Sequence, residues 1–209
     1  MRQCWEPVLH NCLCRIAAAF NQLMIVKSVT LPSEEPVSLD EARAHLRLES
    51  GEDDYLSDLI AAARRHCESF QGRAYVTQTW DLYLDAFPGG CIKVPLPPLQ
   101  SVTFIKYKDS CGVLQTLGTY DYVVDAYSEP GLIFLAYGKS WPSTYPEANA
   151  VQIRFVAGYG AASDVPPEIK QAILLKIADL YENRGDEQAG TRMEDAVESL
   201  LWPDRIVPV

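Results

Sequence analysis

A chain of 209 residues with 48% hydrophobic and 22% charged content has enough material for one domain with a real core, or for a domain carrying an insertion. Its 18 Lys and Arg stand against 28 Asp and Glu, a formal net charge of −10. That balance excludes tight gripping of DNA, which needs a basic face to neutralise phosphate, and leaves only a lumen past which DNA slides without being held.

Residues 1–23 read unlike the rest: Cys and Trp are frequent, and no turn or cap logic is visible. The apolar run IAAAF is too short for a signal peptide. The segment reads as an upstream extension with Met24 as the natural start, or else as a short helix over Leu9–Leu23. No window reaches transmembrane length, so a soluble protein without a membrane partner is expected. The six cysteines (Cys4, Cys12, Cys14, Cys67, Cys91 and Cys111) lack zinc spacing and are expected to be reduced and structurally incidental.

Ser38-Leu39-Asp40-Glu41 is a capping box and predicts a short helix from Leu39 to about Leu46. The spacing predicts a second helix over about Asp53–Gln71, closed by Gly72. Tyr55, Leu56, Leu59, Ile60, Ala63, His66, Cys67 and Phe70 share its apolar arc, with His66 expected as a core histidine. Ser57, Asp58, Arg64, Arg65 and Glu68 share its polar arc.

From Arg73 the period falls from 3.6 to 2. Strands are predicted over Tyr75–Phe87, Cys91–Val94, Ser101–Lys108, Val113–Leu117, Asp121–Asp125, Leu132–Leu135 and Ala150–Ala157. The Pro-rich Pro95–Pro98 is barred from a central strand. The stretch the whole chain is arranged around is Val165–Asp186, an amphipathic helix whose face is Ile169, Ile173, Leu174, Ile177, Leu180 and Tyr181. Its partner is the helix near residues 53–71. The fold class is therefore α+β, a helical hairpin or bundle with a large antiparallel β-rich insertion and an extended C-terminal tail. The divisions are an N-terminal extension at 1–24, a helical core from 25–73 and 160–189, the insertion at 74–159 and a docking tail at 190–209. Leu200, Leu201, Trp202, Ile206 and Val207 give that tail much apolar surface for a terminus, so it should bind something.

No catalytic constellation emerges. The three histidines match neither a zinc helix nor a Ser/His/Asp order, and Gly158-Tyr-Gly160 lacks a phosphate-binding pattern. Asp121, Asp125 and Glu129 read as a solvated hairpin edge before a calcium cluster or an acidic hydrolase site, since no nucleophile or base partner accompanies them. No cofactor or metal is called for. Two features point to assembly. Aromatic residues crowd the insertion and its long loop at 136–149, with Trp141 and Tyr145 as candidate subunit contacts. Leu175 lies among Gln171, Asp179 and Glu182 on the polar side of the main helix and is a third candidate. An alternative function is a ligand- or glycan-binding module using the aromatic loop.

Four segments in this order, EPVSLDEARAHLRLE (Glu35–Glu49), LIAAARRHCESFQGRAYVTQTW (Leu59–Trp80), PLPPLQSVTFIKY (Pro95–Tyr107) and VPPEIKQAILLKIADLYENR (Val165–Arg184), resemble the head–tail connector, or adaptor, proteins of tailed bacteriophages. The resemblance covers about residues 24–209 and excludes 1–23. It implies a non-enzymatic virion protein, made in the host cytoplasm and placed at the head–tail interface. Such a protein forms a ring, commonly dodecameric, which docks on the portal protein, extends the DNA channel and receives the stopper or tail-completion protein, with the capsid as a further contact. By the same resemblance the C-terminal segment reaches toward the portal, which makes Leu200, Leu201, Trp202, Arg205 and Ile206 the portal-contact candidates. Removing Glu194–Val209 is then expected to abolish portal binding and leave the fold intact.

Overall fold

The computed structural model describes residues 24–49, 53–183 and 191–207. The sequence-predicted extension at 1–23, with its candidate start and helix, lies outside the described residues. Among these described residues the architecture is α+β: four helices, a five-stranded antiparallel sheet and a three-stranded one.

Helix α1 spans Leu39–Leu46 and opens on the expected box. The Glu41 amide donates to Ser38 Oγ at 3.2 Å, and the Ser38 amide donates to Glu41 Oε2 at 2.7 Å. These contacts satisfy amide donors that a helix start leaves orphaned. Helix α2 spans Asp53–Gln71, α3 Pro167–Glu182 and α4 Thr191–Leu201. They bury one core in which Leu56, Ile60, Ile169, Ile173, Ile177 and Leu201 are almost wholly shielded from solvent.

The strands are β1 Ile25–Thr30, β2 Gln78–Leu84, β3 Ile92–Val94, β4 Leu99–Lys108, β5 Leu114–Thr116, β6 Tyr122–Asp125, β7 Gly131–Leu135 and β8 Val151–Ala157. The larger sheet has the order β1-β2-β8-β4-β5, the smaller β3-β7-β6. Their inner faces share a second core, Leu82, Leu84, Ile105, Ile153 and Phe155 from one sheet against Ile92, Val94, Ile133 and Tyr122 from the other. The insertion is thus a two-layer sandwich. Strand β1 was not foreseen: it pairs with β2 from Ile25↔Tyr83 to Thr30↔Thr79, so residues 25–30 belong to the sheet, not to the helical core.

The two cores meet where β8 returns to the helices. Tyr159 N–H donates to Tyr75 O at 2.8 Å, and Thr77 N–H to Gly160 O at 3.0 Å. Gly158 holds φ +127°, and a Cβ there would sit 2.6 Å from the Val76 backbone, so only glycine fits this crossing.

Two expected helix faces are revised. Arg64 and Glu68, assigned to the polar arc of α2, are buried, while His66 on the apolar arc is exposed and Tyr55 is 37% exposed. The reason is a tertiary ion pair. Arg64 Nε donates to Glu35 Oε2 at 2.6 Å and Nη1 to Glu68 Oε2 at 2.7 Å. Glu68 Oε1 accepts from the Tyr75 amide at 3.0 Å and from Gln78 Nε2 at 2.6 Å. Asp179 likewise is buried, paired with Lys176 Nζ at 3.0 Å. Of the thiols, Cys67 and Cys111 are free, as expected. Burial pushes the Cys67 thiol up to about 12, so it stays protonated and inert.

On the outer face of the larger sheet Asp81 receives Arg154 Nε and Nη2 at 2.8 Å each and Gln152 Nε2 at 2.8 Å. These donors hold its carboxyl below the ordinary carboxylate range. A depressed folded-state pKa stabilises the fold above the unfolded value near 4 and ceases to do so as pH falls through the lower folded value. Asp81→Asn should therefore flatten the acid limb of stability below about pH 4, read as the urea midpoint against pH.

Candidate docking surfaces

The C-terminal segment is fastened to its own fold. Val197 is 2% exposed and Leu201 0%, both within the helical core, and Leu200 packs on its rim. Gln71, the last residue of α2, clamps the chain twice: its Nε2 donates to Leu201 O at 2.8 Å, and its carbonyl accepts from the Ile206 amide at 2.8 Å. The Tyr75 hydroxyl holds the clamp in place by donating to Gln71 Oε1 at 2.8 Å. Arg73 then joins three regions: it donates to the Asp204 carbonyl, pairs with Glu129 of the insertion and approaches the Tyr159 hydroxyl. Arg205 lies over the Phe70 ring at 4.4 Å and faces the Trp202 ring at 5.2 Å.

The five portal-contact candidates therefore divide. Leu201 is core, Leu200 and Ile206 are half-buried, and Arg205 is half-buried on Phe70. Trp202 alone of the five is exposed, at 60%. The indole is held beside the Arg205 guanidinium just past the end of α4.

The three subunit-contact candidates lie apart. Trp141 stacks on Phe87, with ring centroids 4.8 Å apart and planes 5° apart, and its Nε1 donates to Gly90 O at 2.8 Å. One face of the indole is thus covered by Phe87. Tyr145 is 41% exposed beside the β4–β5 turn, where a Cβ on Gly112 would lie 3.9 Å from its ring. Leu175 is half-buried on the outside of the helical core. Tyr120 and Tyr137 stand almost entirely in solvent at one end of the β6–β7 pair, and Tyr127 at the other.

The carboxylates of the acidic-hydrolase reading do not converge. Asp121 pairs with Lys139 at 2.8 Å, Asp125 caps its own turn through the Ser128 hydroxyl at 2.6 Å, and Glu129 serves Arg73. Among the described residues no cluster of His, Cys, Asp and Glu has the arrangement of a metal site, and no helix is long and apolar enough to cross a membrane. An open groove of about 400 Å³ runs between the residues before α1, α2 and the start of α3. Its acids already have partners: Glu34 accepts from the Ala162 amide, Glu35 from Arg64 and Glu41 from Ser38.

Gln71 and Arg73 escaped the sequence reading because their partners lie 130 and 131 residues away. The one local signal is their place on either side of Gly72, a helix stop that fixes where the chain turns.

No protein-family model and no curated protein matches the chain. Solved structures do. A chain of the neck of an empty gene transfer agent (GTA) particle, computed with C6 symmetry, superposes with a TM-score of 0.75 at 28% identity, covering 88% of this chain and 97% of that one. A chain of the virion of the native GTA particle gives 0.74 at 28% identity with the same coverage. One from the neck of the native particle, computed with C12 symmetry, gives 0.71 at 27%, again covering 88% and 97%. The chain thus shares its fold, over 88% of its length, with structural components of phage-like particles.

Proposed function

We propose that this protein is the head–tail connector, or adaptor, of a phage-like particle: a ring, twelvefold by expectation, that docks on the portal protein, continues the DNA channel and receives the stopper or tail-completion protein. The observation that carries the reading is the likeness to GTA neck chains over 88% of this chain and 97% of theirs. Those necks carry C6 and C12 symmetry, which fits head-to-tail contacts closing by rotation. The net charge of −10 fits a channel wall that repels phosphate at short range, so that DNA passes without being held. No catalytic role is part of the proposal.

On this reading the portal meets the surface formed by Trp202 and Arg205, with Leu200, Leu201 and Ile206 holding that surface in place from beneath. Trp202→Ala is expected to weaken binding to the portal protein about tenfold or more, as truncating an aromatic anchor does. It should leave the unfolding transition unchanged, because the side chain is 60% exposed. Immobilised portal protein titrated with wild type and variant measures the difference; equal affinities would remove the tail from the portal contact.

A further inference from the structure

We propose that the outer face of the five-stranded sheet, built on Lys27, Phe104, Lys106 and Arg154, binds a second copy of this chain through the acidic outer stripe of α3, Glu168 to Glu182. The inference rests on the ring reading and names the self-contact that closes it.

Strand register places the groups. Across β1, β2, β8 and β4 one row runs Lys27, Asp81, Arg154, Phe104, and the next runs Ile25, Tyr83, Gln152, Lys106. The residues between them, Val26, Leu82, Ile153 and Ile105, point into the sandwich core, so both rows point out of it. No residue of either row belongs to the helical core, and the face is not covered by the helices. Lys106 Nζ lies 4.5 Å from the centre of the Phe104 ring and Arg154 4.9 Å, an aromatic plate flanked by cations. The two rows hold three cations and one carboxylate, and that carboxylate, Asp81, is engaged by Arg154. Neither Lys27 nor Lys106 has a carboxylate partner among the described residues. In a chain of net charge −10, such a face is out of keeping with the rest and calls for an acidic partner.

The complement is on the chain itself. Glu168, Gln171 and Glu182 are exposed and Leu175 half-buried, and their helical spacing puts them on one side of α3, where Asp179 between them is buried in its pair with Lys176. Neither Glu168 nor Glu182 has a partner among the described residues. The two carboxylates lie about 21 Å apart along the helix. The two lysines lie about 16 Å apart, three strand spacings across and two residues along. Long lysine side chains bridge that difference, and Leu175, midway between the two glutamates, then lies over the middle of the face, between β2 and β8. The two surfaces are different patches of one chain, as a head-to-tail ring requires.

The test is a charge swap in the full chain, read by sedimentation velocity at low and high salt. Wild type should self-associate, less so in high salt. Lys27→Glu with Lys106→Glu should weaken association about tenfold or more, two exposed pairs being lost together. Adding Glu168→Lys and Glu182→Lys to that variant should restore it. All the substituted groups lie on the surface, so unfolding midpoints should not move. Unchanged association of the double variant, or failure of the swap to rescue it, overturns the contact while leaving the ring reading standing. A double variant that loses only retention of duplex DNA also overturns it. A wild-type chain that stays monomeric both alone and on the portal overturns the ring reading, and this contact with it.

Discussion

Arg64→Met is expected to destabilise the fold by about 3–5 kcal/mol at neutral pH, the cost of leaving a buried charge without its partner. Methionine keeps the unbranched apolar stem and removes the guanidinium that binds Glu35 and Glu68 together. Glu68 would remain 9% exposed, with only the Tyr75 amide and Gln78 Nε2 as donors. Burial already pushes the Glu68 carboxyl above its ordinary range, against the pull of Arg64. Losing Arg64 pushes it higher still, so the neutral acid becomes the preferred buried form. A raised folded-state pKa makes stability greatest below the unfolded value and lets it fall as pH rises through the folded value. The variant's deficit should therefore be larger at pH 7.5 than at pH 5, in urea titrations at each pH. A loss under about 1 kcal/mol, equal at both, would mean the ion pair acts as a surface pair does.

Leu201→Ala is expected to cost about 2–5 kcal/mol, as for other fully buried leucines. Deleting residues 194–209 should cost more than any single substitution. It strips Val197 and Leu201 from the helical core and leaves the Gln71 amide and the Arg73 guanidinium without their carbonyl partners. The expectation from sequence that such a truncation leaves the fold intact does not survive this geometry. The tail is a wall of the core as well as a candidate contact, and thermal unfolding of the truncated chain should be broad and low. A sharp transition within a few degrees of wild type would show that α4 is dispensable. Portal binding must therefore be tested with Trp202→Ala, which leaves the core untouched.

Local rules made much of this fold legible. The capping box at Ser38 and Glu41 marked α1, the stop at Gly72 marked the end of α2, and the change of period after Arg73 marked the sandwich. The positions of β4 to β7 followed from alternation along each strand. What stayed hidden depends on distant partners. Arg64 and Glu68 look solvated on a helical wheel until Glu35, 29 residues away from Arg64, closes over them. Strand β1 has an exposed, weakly alternating pattern and exists because β2 offers it an edge. The apolar C-terminal residues announced that the segment docks, but composition could not say whether on another protein or on α2. The outer sheet face was equally silent, since Lys27 and Arg154 become neighbours only through the pairing of β1, β2 and β8.

Co-expression of this chain with the portal protein of its own gene neighbourhood, followed by mass determination and electron microscopy of what co-purifies, tests the central claim most directly. The account predicts a closed ring of this chain stacked on the portal, with the helical cores forming its body and its symmetry giving the copy number. A monomer that leaves the portal bare would contradict it.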